Sequence, residues 1–270
     1  MDLIKVYTDY LSHLNKQRAR DSEEFHASSA GSCYRKQMYN FFGYDKKEMD
    51  DKSLRLLRLG TITHSDIEEA VNWRNEIIQE EQERLQPKNA VQLYSEQKVS
   101  VPEYNLVGTY DVGEALFKNG EVTEFNLYDF KTVAAYKWTT KFGRKENRVA
   151  TTDTNYKLQL GSYALAIKEE FGEDVRINMF LIWYNKNTSL MREQIVSNEY
   201  IKNAESYWKE LNEILTDAGE DFENSDLLEA GISYGVPFED WECRYCQFSS
   251  ICPSLLKKYL SIVLEIYYQN

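Results

Sequence analysis

Apolar side chains recur at helical spacing through Leu3, Ile4, Tyr7, Tyr10, Leu11 and Leu14, so residues 2–19 predict an opening amphipathic helix. A small-residue loop from Ser28 to Ser32 delivers Cys33, and Tyr34 to Tyr39 resume the helical pattern. The longest periodic stretch runs from Ser53 to Leu85 through Leu54, Leu57, Ile62, Ile67, Ala70, Val71 and Ile77, and Pro87 ends it. The period then falls to two. Val91 to Val101 predicts a strand, and Gly108 to Lys131 predicts a β-hairpin around Lys118-Asn119-Gly120. A helix follows at Asn155 to Phe171, with Leu160, Tyr163, Ala164 and Ile167 on its buried face. Two strands, Val175 to Tyr184 and Leu190 to Val196, flank a turn at Asn185 to Ser189. Glu199 to Asp217 is helical through Ile201, Ala204, Tyr207, Trp208, Leu211 and Leu215, and residues 218–236 read as an irregular connector.

The hairpin carries the first sign of chemistry. Alternation puts Asp129 and Lys131 on one face and sends Phe130 the other way, into a core. A two-residue Asn-Gly turn sets Asp111 opposite Tyr128, on the wrong face. A three-residue loop, Lys118 to Gly120 with Gly120 left-handed, sets Asp111 opposite Leu127 and diagonal to Asp129, so the longer loop is expected. Two converging carboxylates repel unless a cation lies between them, and hard oxygen ligands favour Mg²⁺ or Mn²⁺. Such a cation would polarise a phosphodiester and acidify a water, while Lys131 orients the water and offsets charge on the phosphate. A bare Asp-x-Lys is more often an exposed ion pair, so the rest of the chain must decide.

Several features bear on that decision. His64 and Glu68 lie four apart on the long helix, where they can point a nitrogen and a carboxylate at one metal. Gln159 and Tyr163 have the same spacing; the Gln could hold the nucleophilic water or a base, steadied by the Tyr. The chain has a formal charge of −12, which argues against coating nucleic acid with the whole surface. Yet between Lys131 and Thr152 six basic residues face one acid, with Trp138 and Phe142 interleaved. Lys137, Trp138, Lys141, Arg144, Lys145 and Arg148 can therefore bind phosphates and stack on unpaired bases, or form an ordinary solvated loop.

The four cysteines, Cys33, Cys243, Cys246 and Cys252, suit a metal better than disulfides in a chain expected in the cytoplasm. They would staple the two ends together, and spacing alone fits zinc as well as iron. No apolar window is long enough to span a bilayer and no signal peptide opens the chain, so a soluble cytoplasmic protein is expected. Neither a P-loop nor a dinucleotide fingerprint occurs, so any ATP-driven activity would come from a partner.

In order, the chain reads Cys33, Gly60-x-x-x-His64, Gly108-x-x-Asp111, Asp129-Phe130-Lys131, Gln159-x-x-x-Tyr163, then Cys243-x-x-Cys246-x-x-x-x-x-Cys252-Pro253. This ordered set resembles the PD-(D/E)XK nuclease superfamily, specifically its RecB-like branch with an iron–sulfur cluster, which includes the CRISPR adaptation nuclease and the AddB subunit of recombination complexes. Asp129 stands where many relatives carry Glu. The resemblance implies an α/β fold with a central mixed sheet flanked by helices, a restriction-endonuclease-like core. It implies that His64, Asp111 and Asp129 bind Mg²⁺ or Mn²⁺, joined by the Phe130 carbonyl and with Glu68 auxiliary. Lys131 would be catalytic, Gln159 and Tyr163 would support the site, and the four cysteines would hold a 4Fe-4S cluster.

One domain over 1–270 is expected, with a nuclease core at 53–217 and an iron–sulfur lobe built from 1–52 and 218–270. The expected activity is hydrolysis of DNA, as an exonuclease on single strands or ends, in CRISPR adaptation or in phage or host recombination, repair or replication, with possible protein partners. The rival reading is a non-catalytic DNA-binding or adaptor protein that keeps the clasp.

Overall fold

The Asp50 carboxylate accepts the Ser53 N–H at 2.9 Å and its hydroxyl at 2.8 Å, so the long helix α3 starts at Asp51. It runs to Leu85, where Gln86 turns left-handed ahead of Pro87. The computed structural model describes residues 1–17, 23–149, 153–224 and 245–252. In chain order the other helices are α1 (Leu3–Gln17), α2 (Tyr34–Phe41), α4 (Ala135–Phe142), α5 (Thr154–Phe171) and α6 (Glu199–Ala218). The strands are β1 (Phe25–His26), β2 (Asn89–Val101), β3 (Leu106–Lys118), β4 (Glu121–Val133), β5 (Arg176–Asn185) and β6 (Met191–Val196).

These strands form one mixed sheet in the order β1-β3-β4-β5-β6, with β2 also paired to β3. β1 runs parallel to β3 and β4 parallel to β5, while the other pairs are antiparallel. The parallel β4–β5 pair needs a crossover, and α4 and α5 supply it. β1 is two residues long, too short to carry a sequence period, and α4 emerges from the stretch read as a basic segment.

Helices lie on both faces of the sheet. Phe130 of β4 meets His64 of α3, while its neighbours Asp129 and Lys131 face α5. α5 is buried nearly all round because it packs on the sheet and on α6. Its Gly161 lets α6 approach closely: a Cβ there would lie 2.1 Å from the Tyr200 carbonyl oxygen. Trp208 Nε1 donates to Ser162 Oγ at 2.7 Å across the same contact. α3 is bound along β2 by side chains, with Leu93 N–H donating to Asn75 Oδ1 at 3.0 Å and Gln82 Nε2 donating to the Val91 carbonyl at 2.9 Å. That grip fixes His64 over the centre of the sheet. Among the described residues no helix is long and apolar enough to cross a membrane.

The hairpin turn corrects the expected loop. Lys118 pairs with Glu121, so the turn has two residues, and Asn119 and Gly120 both have positive φ (54° and 87°). Parity is restored by a bulge instead. The register shifts between Leu116 and Phe117, leaving Thr123 as the extra residue, and from there Val112 pairs with Tyr128. One step further, Asp111 falls level with Asp129 rather than opposite Leu127.

Candidate metal centre and its lysine

Alternation in β3 changes phase at the functional aspartate. Leu106 and Tyr110 are buried before it, and Gly113 and Ala115 after it, so even positions give way to odd across Asp111 and Val112. On β2 the register brings Glu96 opposite Asp111, between the pairs Ser95–Val112 and Gln97–Tyr110. Glu96 is left-handed there, with φ 46°, a conformation seldom held by glutamate away from a constrained site. The consequence is that two adjacent strands turn carboxylates towards α3 at one point.

His64, Glu96 and Asp111 meet at that point, each offering a ligand atom within 4.8 Å of the others. His64 Nδ1 lies 3.3 Å from Asp111 Oδ1, and the Phe130 N–H donates to Asp111 Oδ2 at 2.6 Å. The His64 ring stands edge-on to Phe130 with centroids 5.5 Å apart. Burial disfavours the charged imidazole, but the Asp111 carboxylate outweighs it and raises the His64 pKa above 6.5. Desolvation and then the Asp111 charge raise the Glu96 carboxyl.

Asp129 and Lys131 form the second half of the site. Asp129 is 1% exposed, and its Oδ2 is 2.7 Å from Lys131 Nζ. Burial pushes the Asp129 carboxyl up to about 7; Lys131 opposes this and Asp111 adds to it. Lys131 is itself held above its ordinary value, because Asp129 and Asp111 outweigh the burial that would lower it. It donates to Gln159 Oε1 at 3.0 Å, and Gln159 Nε2 donates to Tyr163 Oη at 2.8 Å. Tyr163 in turn lies against β3 at Gly108, where a Cβ would be 2.7 Å from Tyr163 Cε1. The Gly-x-x-Asp and Gln-x-x-x-Tyr motifs therefore touch each other.

The donors fit a divalent cation. An imidazole nitrogen with two carboxylates is a set that a divalent cation can take. Burial and then the neighbouring Asp111 charge raise the Glu96 and Asp129 carboxyls, and the buried Asp129 Oδ1 accepts no hydrogen bond among the described residues.

The predicted residues divide as follows. His64 and Asp111 come together, with Asp129 outside their trio but within electrostatic reach of both. Glu68 is one turn beyond His64, and its charge contributes to raising Glu96. Glu96 was missed, since glutamate carries no sequence signal for positive φ. In the basic segment, Lys141 pairs with the buried Asp153, which also takes Lys157 at 3.2 Å and a hydrogen bond from Gln194 at 2.8 Å. Trp138 packs on Phe142 with centroids 4.8 Å apart, under the Arg192 guanidinium. Arg144, Lys145 and Arg148 are exposed, and Arg148 Nε donates to the Gly143 carbonyl at 2.9 Å.

The cysteine-bearing segments also meet. Cys33 opens α2, whose Tyr39 ring lies 5.2 Å from that of Phe248, between Cys246 and Cys252. Lys47 N–H donates to the Gln247 carbonyl at 3.0 Å. Cys33, Cys246 and Cys252 are partly buried. Cys243 lies outside the described residues.

Comparison with known proteins agrees with this construction at the level of family and fold. The model of the PD-(D/E)XK nuclease superfamily matches residues 7–253. The solved structure of SSO0001 is similar with TM-score 0.50 and 15% identity, over 93% of this chain and 96% of that one. A candidate exonuclease from Eubacterium rectale is similar with TM-score 0.43 and 14% identity, over 77% and 88% of the respective chains. No curated protein sequence matches the chain significantly.

Proposed function

The chain belongs to the PD-(D/E)XK nuclease superfamily, and on that premise we propose that it is a Mg²⁺- or Mn²⁺-dependent deoxyribonuclease of the RecB-like branch, an exonuclease acting on single strands or ends. The observation that carries the reading is the lysine relay. Lys131 is held between Asp129 and Gln159, beside His64, Asp111 and Glu96. A surface ion pair would not need a buried carboxylate or a hydrogen-bonded Gln–Tyr support.

His64, Asp111 and Asp129 would hold the cation, with Glu96 completing the set and the Phe130 carbonyl and Glu68 as auxiliaries. When bound, it supplies Lewis-acid polarisation of a phosphoryl oxygen and acidifies water. Lys131 keeps its proton because two carboxylates face it, so its ammonium can orient the attacking water and offset charge on the phosphate. Gln159 and Tyr163 aim that ammonium. Arg144, Lys145 and Arg148 offer the exposed cations along which DNA would approach.

The four cysteines would hold a 4Fe-4S cluster that clasps the chain ends, a reading supported by the contact between the α2 segment and residues 245–252. A role in CRISPR adaptation or in recombination follows from the same branch. The test is cleavage of end-labelled single- and double-stranded DNA with Mg²⁺ or Mn²⁺. Asp111→Ala and Asp129→Ala should each abolish it while the fold persists. Undiminished cutting by both variants would end the reading.

A further inference from the structure

The geometry points to a second phosphate-binding cation beside the catalytic one: Lys137 and Lys131 form a two-ammonium subsite on the ring of Tyr156, which sets their spacing for neighbouring backbone phosphates. This deepens the nuclease reading and rests on it. Lys131 Nζ lies 4.8 Å from the Tyr156 ring centroid, and Lys137 Nζ lies 4.4 Å from the same centroid. Lys137 also donates to the Tyr156 hydroxyl at 3.2 Å. An ammonium over an aromatic face is attracted by the ring quadrupole, so one side chain orients both cations.

The placement runs against simple electrostatics in an acidic chain. Lys141, Lys157, Lys168 and Arg176 each meet a carboxylate, whereas among the described residues Lys137 has no acidic partner and shares the Tyr156 ring with another lysine. Like charges sharing a ring repel in the free protein. Anionic groups bridging them would relieve that repulsion, and adjacent phosphates of a nucleic-acid strand have this character.

The support beneath Lys137 is rigid. Lys141 is four residues on and so on the same helical side, where it is anchored to buried Asp153. Trp138 is held by Phe142 and Arg192, and Asn187 Oδ1 accepts the Ala135 N–H at 2.8 Å. Within one helix, then, Lys141 clamps and Lys137 presents. Tyr156 stands one turn before Gln159 on α5, so the two residues that steer Lys131 come from the same helix. Tyr156 is a positioning residue for Lys131 and Lys137 together.

The test measures binding of a fluorescent single-stranded oligonucleotide in EDTA against KCl, and steady-state cleavage in Mn²⁺. Lys137→Gln should weaken binding about tenfold at moderate salt and take about 0.7 off the slope of log K against log salt, the contribution of one phosphate contact. It should raise KM more than it lowers kcat. Tyr156→Leu should reproduce that slope change and also lower kcat, because Lys131 loses its ring; Tyr156→Phe should recover most of both. Lys141→Gln, a charge change of equal size, should leave the slope alone and lower Tm. A wild-type slope in Lys137→Gln, or a wild-type kcat in Tyr156→Leu, would overturn the subsite while leaving a cutting wild type as a nuclease. Failure of the wild-type protein to bind the oligonucleotide would overturn the nuclease reading and the subsite together.

Discussion

Gly108→Ala should damage the active site through the α5 residues that support Lys131. The added Cβ would lie 2.7 Å from Tyr163 Cε1 and 2.9 Å from Ala27 Cβ, closer than carbon atoms approach without displacement. Overpacking of this kind costs about 1–3 kcal/mol. At roughly 2–4 °C per kcal/mol for a chain near this size, Tm should fall by about 2–12 °C. The chemical effect is separate. Tyr163 cannot shift without straining its 2.8 Å hydrogen bond from Gln159, and Gln159 holds Lys131 at 3.0 Å. A displacement on the order of 1 Å at a catalytic group can cost about 100-fold, so single-turnover cleavage should slow by about 10- to 100-fold. Thermal scans and single-turnover rates should be collected for Gly108→Ala, Tyr163→Leu and the double variant. Removing the ring should relieve the clash, making the stability losses less than additive. Full additivity, or a Gly108→Ala protein with wild-type Tm and rate, would refute the claim that the glycine serves Tyr163.

Other expectations follow from the same geometry. Asp153 is buried yet held below its ordinary 3.8, because hydrogen bonds from Lys141 and Gln194 outweigh desolvation. Its stabilisation should be complete above pH 3.8 and fade as pH falls through the lower folded value. Asp153→Asn should therefore lose about 3 kcal/mol at pH 7, and a gap to wild type in chemical denaturation that persists undiminished at pH 2 would contradict this. His64 has a raised pKa and must lose its proton to ligate, so Mn²⁺ affinity by calorimetry should climb through and above pH 6.5, by up to about tenfold per unit for each proton displaced; a flat profile would remove His64 from the ligand set. Anaerobically purified protein should be brown, with iron and labile sulfide, and Cys33→Ala should lose both and be strongly destabilised. Colourless protein with one zinc would refute the iron assignment but leave the clasp standing.

The sequence made the elements legible where a period lasted long enough to be read. α3, α5, α6 and five of the six strands follow from spacing alone, because each buries a face over several turns or several alternations. β1 escaped because two residues carry no period, and α4 because its apolar positions, Trp138 and Phe142, sit among lysines that read as a solvated surface. The hairpin shows a subtler limit. Asn119-Gly120 correctly signals a tight turn, but a bulge at Thr123 leaves no residue type by which to recognise it, so Asp111 is expected opposite Leu127 and instead falls level with Asp129. In the basic segment charge was visible and its use was not. Lys141 and Lys137 are chemically identical in sequence, and only the folded chain distinguishes the one facing Asp153 from the one facing Tyr156.

The site lies where regular structure fails. A sheet with unbroken alternation would point Asp111 towards α5 together with Asp129, burying two carboxylates near Tyr163. The phase change at Asp111 and the left-handed Glu96 opposite it avoid this. They bring Asp111 and Glu96 to His64 on the α3 side, while Asp129 stays with Lys131 on the α5 side. His64, Glu96 and Asp111 therefore approach from the α3 face of β4, and Asp129 and Lys131 from its α5 face. The Phe130 N–H to Asp111 hydrogen bond ties the two halves together at that strand. Strain at Glu96 is held by the ladder on either side, at Ser95–Val112 and Gln97–Tyr110, so the distortion is local and does not spread into the sheet.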